Sequence, residues 1–302
     1  MRELQLKEIQ NIELKILIEL DRFCRKNNLK YYLCGGTLLG AIRHRGFIPW
    51  DDDIDVMMPR ENFEIFINKF NHEFYKVKYI NTCNKYIEKS CKLVDTRTLL
   101  KSNHLRKKTI EENIFIDVFP IDGLPENKYL QKIHVLLVQV IIAIHSSTVL
   151  SYSISKRYND KNSGVFYWKK YFRTFIKFLM ITTIGITNTR FWIIILNKIL
   201  KRYNFDNSLW VAALTSGIYG EREIMPKKIF CRSEIVKFER YKFFAPIGYD
   251  YYLKRLYGDY MKLPPVEFRQ SHHNFKAYWK ENIFMGCDVF EKYKRESNEG
   301  SS

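Results

Sequence analysis

Acidic residues in the first fifth of the chain are spaced so that they could hold divalent cations. In an extended backbone successive side chains point to opposite faces, so Asp53 and Asp55 project together while Ile54 and Val56 turn inward. Asp51 is a candidate third member of the group. Carboxylates on one face repel by roughly 4 kcal/mol per pair at about 4 Å and an effective dielectric near ~20. Hard oxygen ligands favour Mg²⁺ or Mn²⁺, so the pattern predicts metal-dependent phosphoryl chemistry.

An acidic surface turn and a calcium loop are the alternatives for the run DDDID. Apolar residues on both sides of the run, among them Ile48 and Trp50, argue against a fully exposed turn. The EF-hand pattern fails because Val56 stands where that loop needs glycine and Asn62 where it needs a bidentate glutamate.

A glycine pair precedes the acidic run. Gly35 and Gly36 follow a short strand-like stretch, and this position predicts a site where backbone amides face phosphate oxygens. Arg43, His44 and Arg45 lie between the two motifs, where they could reach the same phosphates, and Arg43 is the one that we favour. Thr37 and Trp50 complete the expected substrate-binding residues of this segment.

A further metal-binding acid is expected on a neighbouring strand. Asp117 is the best candidate, because it is a lone acid in the apolar stretch NIFIDVFP, where an unpaired charge is costly. The alternative for Asp117 is a salt bridge or a cap. Asp122 is the fallback ligand, although the sequence IDGLP around it is typical of a turn.

Three motifs together resemble the LicD family of phosphocholine transferases. They are GGTLLGAIRHRGFIPWDDDIDV, then FIDVFPIDGLP, then YLKRLYGDYMKLPP followed by Glu267, Arg269, His272 and His273. The resemblance implies a nucleotidyltransferase fold of the polymerase-β type, an α/β core with a mixed sheet. It places the metal-binding acids at Asp53, Asp55 and Asp117, with Asp51 as an extra ligand, and it adds Arg269, His272 and His273 to the substrate-binding residues.

The resemblance also implies an activity. A LicD-like enzyme would use Mg²⁺ or Mn²⁺, two ions, to transfer phosphocholine from CDP-choline to a sugar hydroxyl of a lipid-linked cell-surface glycan precursor, such as teichoic acid, capsule or lipopolysaccharide. Asp117 is the first candidate for the general base. The expected location is cytoplasmic and peripheral, at an anionic membrane surface on the inner face of the plasma membrane, with no nucleic-acid partner.

Two other functions stay open at this point. The same fold could use CDP-ribitol or CDP-glycerol as donor, and the aromatic cage that choline would want cannot be recognised among 22 Phe, 20 Tyr and 5 Trp. A non-catalytic protein that binds membranes or nucleic acid is the second alternative. It would use the net charge of +17, which indicates an anionic partner of some kind.

The elements that must position these residues alternate through the first part of the chain. Apolar spacing predicts a helix over residues 4–23, and strands are predicted at 30–34, 53–58, 89–94 and 114–119, with a helix over 60–70. We therefore predict a catalytic core over residues 1–125.

The rest of the chain is predicted to be mainly helical. Residues 126–205 would form a basic and aromatic helical insertion that contacts the membrane surface or the acceptor. Its uncharged stretch, 133–155, is interrupted by polar residues and favours a buried or interfacial helix over a membrane span. Residues 206–290 would be a helical part that completes the site, and 291–302 a polar tail. The six cysteines show no zinc spacing, and with no secretory signal visible they predict reduced thiols in the cytoplasm.

Overall fold

The computed structural model describes residues 1–102, 112–149, 187–216, 219–269 and 275–280. The α-helices of these residues are α1 (Leu6–Lys26), α2 (Gly35–His44), α3 (Arg60–Lys69), α4 (Lys128–Val149), α5 (Thr189–Leu200) and α6 (Tyr249–Tyr257). The strands are β1 (Tyr32–Leu33), β2 (Asp55–Pro59), β3 (Tyr75–Lys78), β4 (Cys91–Asp95), β5 (Thr98–Ser102), β6 (Phe115–Leu124), β7 (Trp210–Ala212), β8 (Met225–Pro226), β9 (Ser233–Phe238), β10 (Tyr241–Pro246) and β11 (Phe275–Trp279).

The first helix forms where apolar residues recur every three or four positions. Ile9, Ile16 and Leu20 on this stripe are buried in the core. Gln5 and Glu8 form a reciprocal capping box at the N-terminus, and the helix stops at Asn27. The predicted helix over 4–23 is therefore confirmed, with its end one turn later.

A mixed, largely antiparallel sheet forms the centre of the molecule. Its strand order is β1-β2-β6-β4-β3, with β7 and β8 continuing from β6. The pair β2 and β6 is parallel, whereas the other neighbours are antiparallel. The predicted α/β core with a mixed sheet is confirmed for the described residues. In contrast to the predicted turn at IDGLP, β6 continues to Leu124 because Asp122 pairs with Ala212 of β7.

The helix α2 was not among the predicted elements. It begins at Gly35, whose φ of +52° lies in the left-handed region that favours glycine. Its buried residues include Leu38 and Leu39, so an apolar side packs into the core. Because the short β1 ends directly before it, the glycine pair lies at a strand-to-helix turn.

The range 126–205 contains two helices among its described residues, α4 and α5, which pack on each other through a small apolar cluster that includes Val138 and Leu196. Residues 150–186 lie outside the described residues, so the predicted insertion stays a prediction. In the described part, α4 alone is long and apolar enough to cross a membrane, and 44% of its most apolar window is buried inside the protein.

The prediction of a mainly helical part over 206–290 is wrong. The described residues there form β7 to β11, with one α-helix, α6. β9 and β10 form a hairpin whose turn contains Glu239 at φ +54°. Side chains of β9 alternate between exposed and less exposed positions toward its end, which is the two-residue period of a strand. β7 and β8 extend the central sheet, and buried residues of the other strands, such as Phe243 and Ala277, belong to the same core cluster as that sheet.

Candidate active site

The predicted acids meet at the start of two adjacent parallel strands. Asp55, the first residue of β2, is paired in register with Asp117 of β6. Asp51 and Asp53, in the segment that leads into β2, line the same cavity of about 520 Å³. Ile54 and Val56 are fully buried. The structure therefore brings together the four carboxylates that the sequence analysis selected.

Hydrogen bonds to the backbone hold this acidic segment in place. The amide of Asp55 donates to Oγ1 of Thr37 at 2.8 Å, and the Asp55 carbonyl accepts from the amide of Cys34 at 3.1 Å. Gln10 Nε2 of α1 donates to the Asp51 carbonyl at 2.8 Å. Thr37 is buried and does not line the cavity, so the structure places it as support for Asp55 instead of at the substrate.

Both predicted glycines line the cavity, and both contact carboxylates closely. A Cβ atom on Gly36 would lie 2.8 Å from Oδ2 of Asp51, and one on Gly35 would lie 3.0 Å from Oδ2 of Asp55. Any other residue would push these carboxylates away. The positive end of the α2 dipole faces the same place, which favours anions there.

Burial and mutual repulsion make this acid cluster electrostatically costly. Burial raises the pKa of Asp55 well above its usual range, and the charges of Asp53 and Asp117 raise it further. Burial also raises the pKa of Asp117, against the lowering effect of Lys92. Behind the cluster, buried Glu13 of α1 has its pKa raised well above the usual range by burial and by the aspartates, beginning with Asp53. Cations in the cavity would relieve this repulsion.

The donor set fits a hard divalent cation that is shared with a ligand. Oδ1 of Asp117 is buried and has no hydrogen-bond partner among the described residues. In the described ranges, no three His, Cys, Asp or Glu side chains stand close enough together to hold an ion by themselves. Mg²⁺ is commonly held by one or two carboxylates together with substrate phosphates. The site thus suits a metal-diphosphate complex better than a bare ion.

Two lysines that the sequence analysis did not select supply positive charge at the cavity. Lys92 of β4 is paired in register with Asp117, and its Nζ lies 3.6 Å from the ring centroid of Phe115. Nζ of Lys89 donates to the Thr215 carbonyl at 2.5 Å, and burial lowers its pKa. The sequence signal for both was a lysine within a predicted strand next to that of Asp117.

The structure does not bring Arg43 to the cavity. Its guanidinium donates to the carbonyls of Tyr260 at 2.9 Å and Lys262 at 3.4 Å, so it joins α2 to the segment after α6. Arg269 is likewise outside the cavity lining, and its guanidinium carbon lies 5.7 Å from the ring centroid of Trp50, which does line it. In the described residues, Lys89 and Lys92 line the cavity and Arg43 does not.

The two predicted histidines cannot be located. His272 and His273 lie outside the described residues. Their substrate-binding role therefore stays a prediction.

Asp122, the fallback metal ligand, has a structural partner instead. Its two carboxylate oxygens accept from Nε and Nη2 of Arg60, each at 2.6 Å, and the pair is buried. Asp122 does not line the cavity. The salt-bridge alternative that was open for Asp117 thus applies to Asp122.

The other side of the cavity lining comes from the part of the chain after residue 206. None of its members was selected as a site residue from the sequence, although the quoted motif YLKRLYGDYMKLPP contains the last two: Thr215, Ser216, Tyr219, Glu223, Tyr252 and Tyr257. Glu223 is only 3% exposed, and it accepts a hydrogen bond from the Ser216 hydroxyl at 3.1 Å. The expectation that residues 206–290 supply part of the site agrees with this lining.

Comparison with known proteins connects this geometry to a family. Residues 28–136 match the family model described as LicD/FKTN/FKRP, nucleotidyltransferase domain. The matched region holds every carboxylate of the cluster. A curated protein of Haemophilus influenzae, named lipopolysaccharide cholinephosphotransferase LicD, is 30% identical over 285 residues, covering 92% of this chain and 99% of that protein.

Shorter matches occur with two uncharacterised proteins of Rickettsia. The protein of Rickettsia typhi is 44% identical over 57 residues, 18% of each chain. The protein of Rickettsia prowazekii is 45% identical over 67 residues, 20% of this chain and 25% of that protein. Of these three proteins, the Haemophilus protein matches along almost the whole chain.

Proposed function

The chain belongs to the LicD family, and we propose that it transfers phosphocholine from CDP-choline to a sugar hydroxyl of a lipid-linked cell-surface glycan precursor in a divalent-metal-dependent reaction. The observation that carries the proposal is the convergence of Asp51, Asp53, Asp55 and Asp117 on one cavity. It occurs in a chain that matches a cholinephosphotransferase over nearly its full length.

The donor's diphosphate is the group that this cavity suits. Asp53, Asp55 and Asp117 would hold the metal ions, with Asp51 as an extra ligand, and the ions would face the phosphate oxygens. When bound, Mg²⁺ or Mn²⁺, in our proposal two ions, would neutralise charge on the diphosphate during in-line displacement. Lys89 and Lys92 add positive charge at the same cavity. The backbone amides at the start of α2 can donate to phosphate oxygens.

The reaction exchanges one phosphorus-oxygen bond for another. The acceptor's hydroxyl oxygen forms a bond to the phosphorus that carries choline. The bond from that phosphorus to the bridging oxygen breaks, and CMP leaves with the electron pair. The hydroxyl proton passes to a carboxylate, for which we propose Asp117, because its Oδ1 is buried and has no hydrogen-bond partner in the described residues.

We place the reaction at the cytoplasmic face of the plasma membrane, with the protein bound peripherally. The outer face of α4 carries exposed apolar side chains, as does that of α5: Leu130, Ile133, Leu136, Leu137, Val140, Phe191 and Ile194. Residues 156–202 carry eleven basic residues and one acid. An apolar face beside a basic segment is typical of proteins that lie on anionic lipid.

The proposal is tested by donor turnover with the purified full chain. CDP-choline, CDP-glycerol and CDP-ribitol are each supplied with Mg²⁺ or Mn²⁺ and a lipid-linked glycan extract, and CMP release and label transfer to the glycan are measured. We expect transfer from CDP-choline that stops in EDTA and in D55N. A higher kcat/KM with CDP-glycerol or CDP-ribitol would overturn the choline assignment. No CMP release from any donor would overturn the transferase proposal.

A further inference from the structure

An acid and three tyrosines line the active-site cavity beside the carboxylate cluster. The rings of Tyr219 and Tyr257 meet edge to face, with centroids 5.5 Å apart and an interplanar angle of 80°. The hydroxyl of Tyr252 accepts a hydrogen bond from the Gly35 amide at 3.4 Å. Gly35 in turn lies against Asp55, because a Cβ atom at Gly35 would be 3.0 Å from Oδ2 of Asp55. The acid and the tyrosines therefore lie next to the carboxylates that are proposed to hold the metal and the diphosphate.

The acid of this group, Glu223, is buried without a cationic partner among the described residues. Its carboxylate accepts from the Ser216 hydroxyl, and burial raises its pKa to about 7. The neighbouring guanidiniums of Arg222 and Arg255 donate to backbone carbonyls instead. Lys89, a lysine of the same lining, donates to a carbonyl as well. A buried carboxylate is costly unless it is protonated or a cation approaches it, and no side chain of the described residues supplies that cation.

The three tyrosine rings of the lining carry no cation from the described residues. In the described ranges, the guanidinium of Arg269 lies over Trp50, another aromatic residue of the lining. No cationic side chain of those ranges lies over the ring of Tyr219, Tyr252 or Tyr257 in the same manner. The cavity thus combines a buried acid that has no cationic partner in the described residues with aromatic rings over which no cation of those residues lies.

We propose that Glu223 together with Tyr219, Tyr252 and Tyr257 binds the quaternary ammonium group of choline. This inference rests on the proposed function, because it assigns one end of the proposed donor. A quaternary ammonium has no N–H and cannot be recognised by hydrogen bonds. It is recognised by opposite charge and by the negative faces of aromatic rings, which this group supplies. Glycerol and ribitol carry no positive charge, so neither would compensate the carboxylate.

A charge-free analogue separates the ammonium from the rest of the donor. The cytidine diphosphate ester of 3,3-dimethylbutanol has the shape of CDP-choline with carbon in place of nitrogen. Binding of both compounds and of CMP is measured by calorimetry with the full chain and Mn²⁺. We expect the wild type to prefer CDP-choline over the analogue about tenfold or more. E223Q and Y257L should lose most of this preference, whereas Y257F, which keeps a ring, should retain it.

Matched control variants come from exposed residues close in sequence to Glu223 and on the helix of Tyr257. Glu221 is exposed and lies two residues before Glu223, and Tyr251 is exposed on α6, so E221Q and Y251L should keep the wild-type preference. Unchanged CMP affinity shows that a variant is folded. If Y257L loses CMP binding, E223Q decides the matter, since its side chain has the same shape as the original.

The inference and the proposed function fail in different ways. The inference is overturned if the wild type transfers phosphocholine but binds the analogue as tightly as CDP-choline, or if E223Q keeps the preference. The proposed function is overturned if the wild type does not turn over CDP-choline at all. Retention of the preference by Y257L, with a normal CMP affinity, would remove Tyr257 from the proposed site.

Discussion

Asp55 and Asp117 are separated by 61 residues of sequence and yet face each other at paired positions of two parallel strands. Burial raises the pKa of both carboxyl groups, and the charge of Asp117 raises the pKa of Asp55 further, so ionising both groups at once is costly. A nearby cation would favour the charged form of both carboxylates. This pairing is the basis of the first prediction.

D55N and D117N should each abolish phosphocholine transfer and leave the fold intact. The amide removes a charge that the metal requires, but it also removes repulsion inside the protein without metal. We therefore expect a melting temperature in EDTA that equals or exceeds that of the wild type, and the same holds for D53N. Thermal melts and CMP release measure both effects. Activity within tenfold of the wild type in any of these variants would contradict the assignment of that carboxylate.

D122N should show the opposite behaviour. Replacing this carboxylate removes the short ion pair of the buried Arg60 guanidinium and leaves it the longer one to Glu64 at 3.4 Å, which costs up to about 3–5 kcal/mol of stability. Activity per folded molecule should stay close to wild type because Asp122 does not line the cavity. Urea unfolding followed by circular dichroism gives the stability change. An unchanged unfolding midpoint together with lost metal dependence would make Asp122 the ligand after all.

Metal ions should stabilise the protein mainly in the presence of nucleotide. The described residues hold no ready group of three metal ligands, so Mn²⁺ alone should raise the melting temperature only slightly. Mn²⁺ with CDP-choline should raise it by more than the sum of the two separate shifts, since phosphates complete the coordination. Ca²⁺ serves as a control for charge without reactivity. Additive shifts would contradict a shared metal-diphosphate site.

E223Q should stabilise the protein above neutral pH and have little effect in acid. Burial raises the pKa of Glu223 from 4.5, its ordinary value, to about 7 in the folded protein, so folding retains a proton that the unfolded chain releases. Stability contributed by the wild-type acid is full below pH 4.5 and is lost as pH rises through about 7. Glutamine mimics the protonated form, and its advantage above that pH is on the order of 3 kcal/mol.

The measurement is the free energy of unfolding of both proteins between pH 4 and pH 8.5. The titratable groups near Glu223 include Asp55 and the hydroxyls of Tyr219 and Tyr252. Glu223 contributes to the raised pKa of each of them. E221Q is the control, because Glu221 is exposed. A stability difference between E223Q and wild type that is constant across this range would mean that Glu223 does not titrate there.

Binding to liposomes should be peripheral, salt-sensitive and dependent on anionic lipid. Each basic residue held near such a surface contributes about 1 kcal/mol. The four residues chosen for change to glutamate lie outside the described residues: Lys169, Lys170, Arg173 and Lys177. Their joint replacement should abolish flotation with anionic liposomes, while hydrolysis of the soluble CDP donor survives. Equal binding to neutral liposomes, or release by detergent alone, would favour an inserted α4 instead.

The amino-acid sequence by itself determined the carboxylate cluster and most of the core elements. Asp53 and Asp55 share a face because a strand repeats every two residues, and Asp117 is conspicuous as an acid in an apolar strand. These patterns are local, so they can be recognised without knowing how the rest of the chain folds. The glycine pair was also visible locally, although the helix that begins at Gly35 was not.

Only the tertiary structure decided the rest of the site. Glu223 and Tyr257 meet Asp55 across more than 160 residues of sequence, and no local period distinguishes these side chains from others of the same type. The partners of Arg43 and Asp122 could not be read from the sequence either. Arg43 donates to backbone carbonyls of a distant segment, and Asp122 accepts from Arg60 of another element. Pairing across strands and helices depends on how the sheet is assembled. Residue type and spacing cannot specify that assembly, because many registers would satisfy the same local pattern.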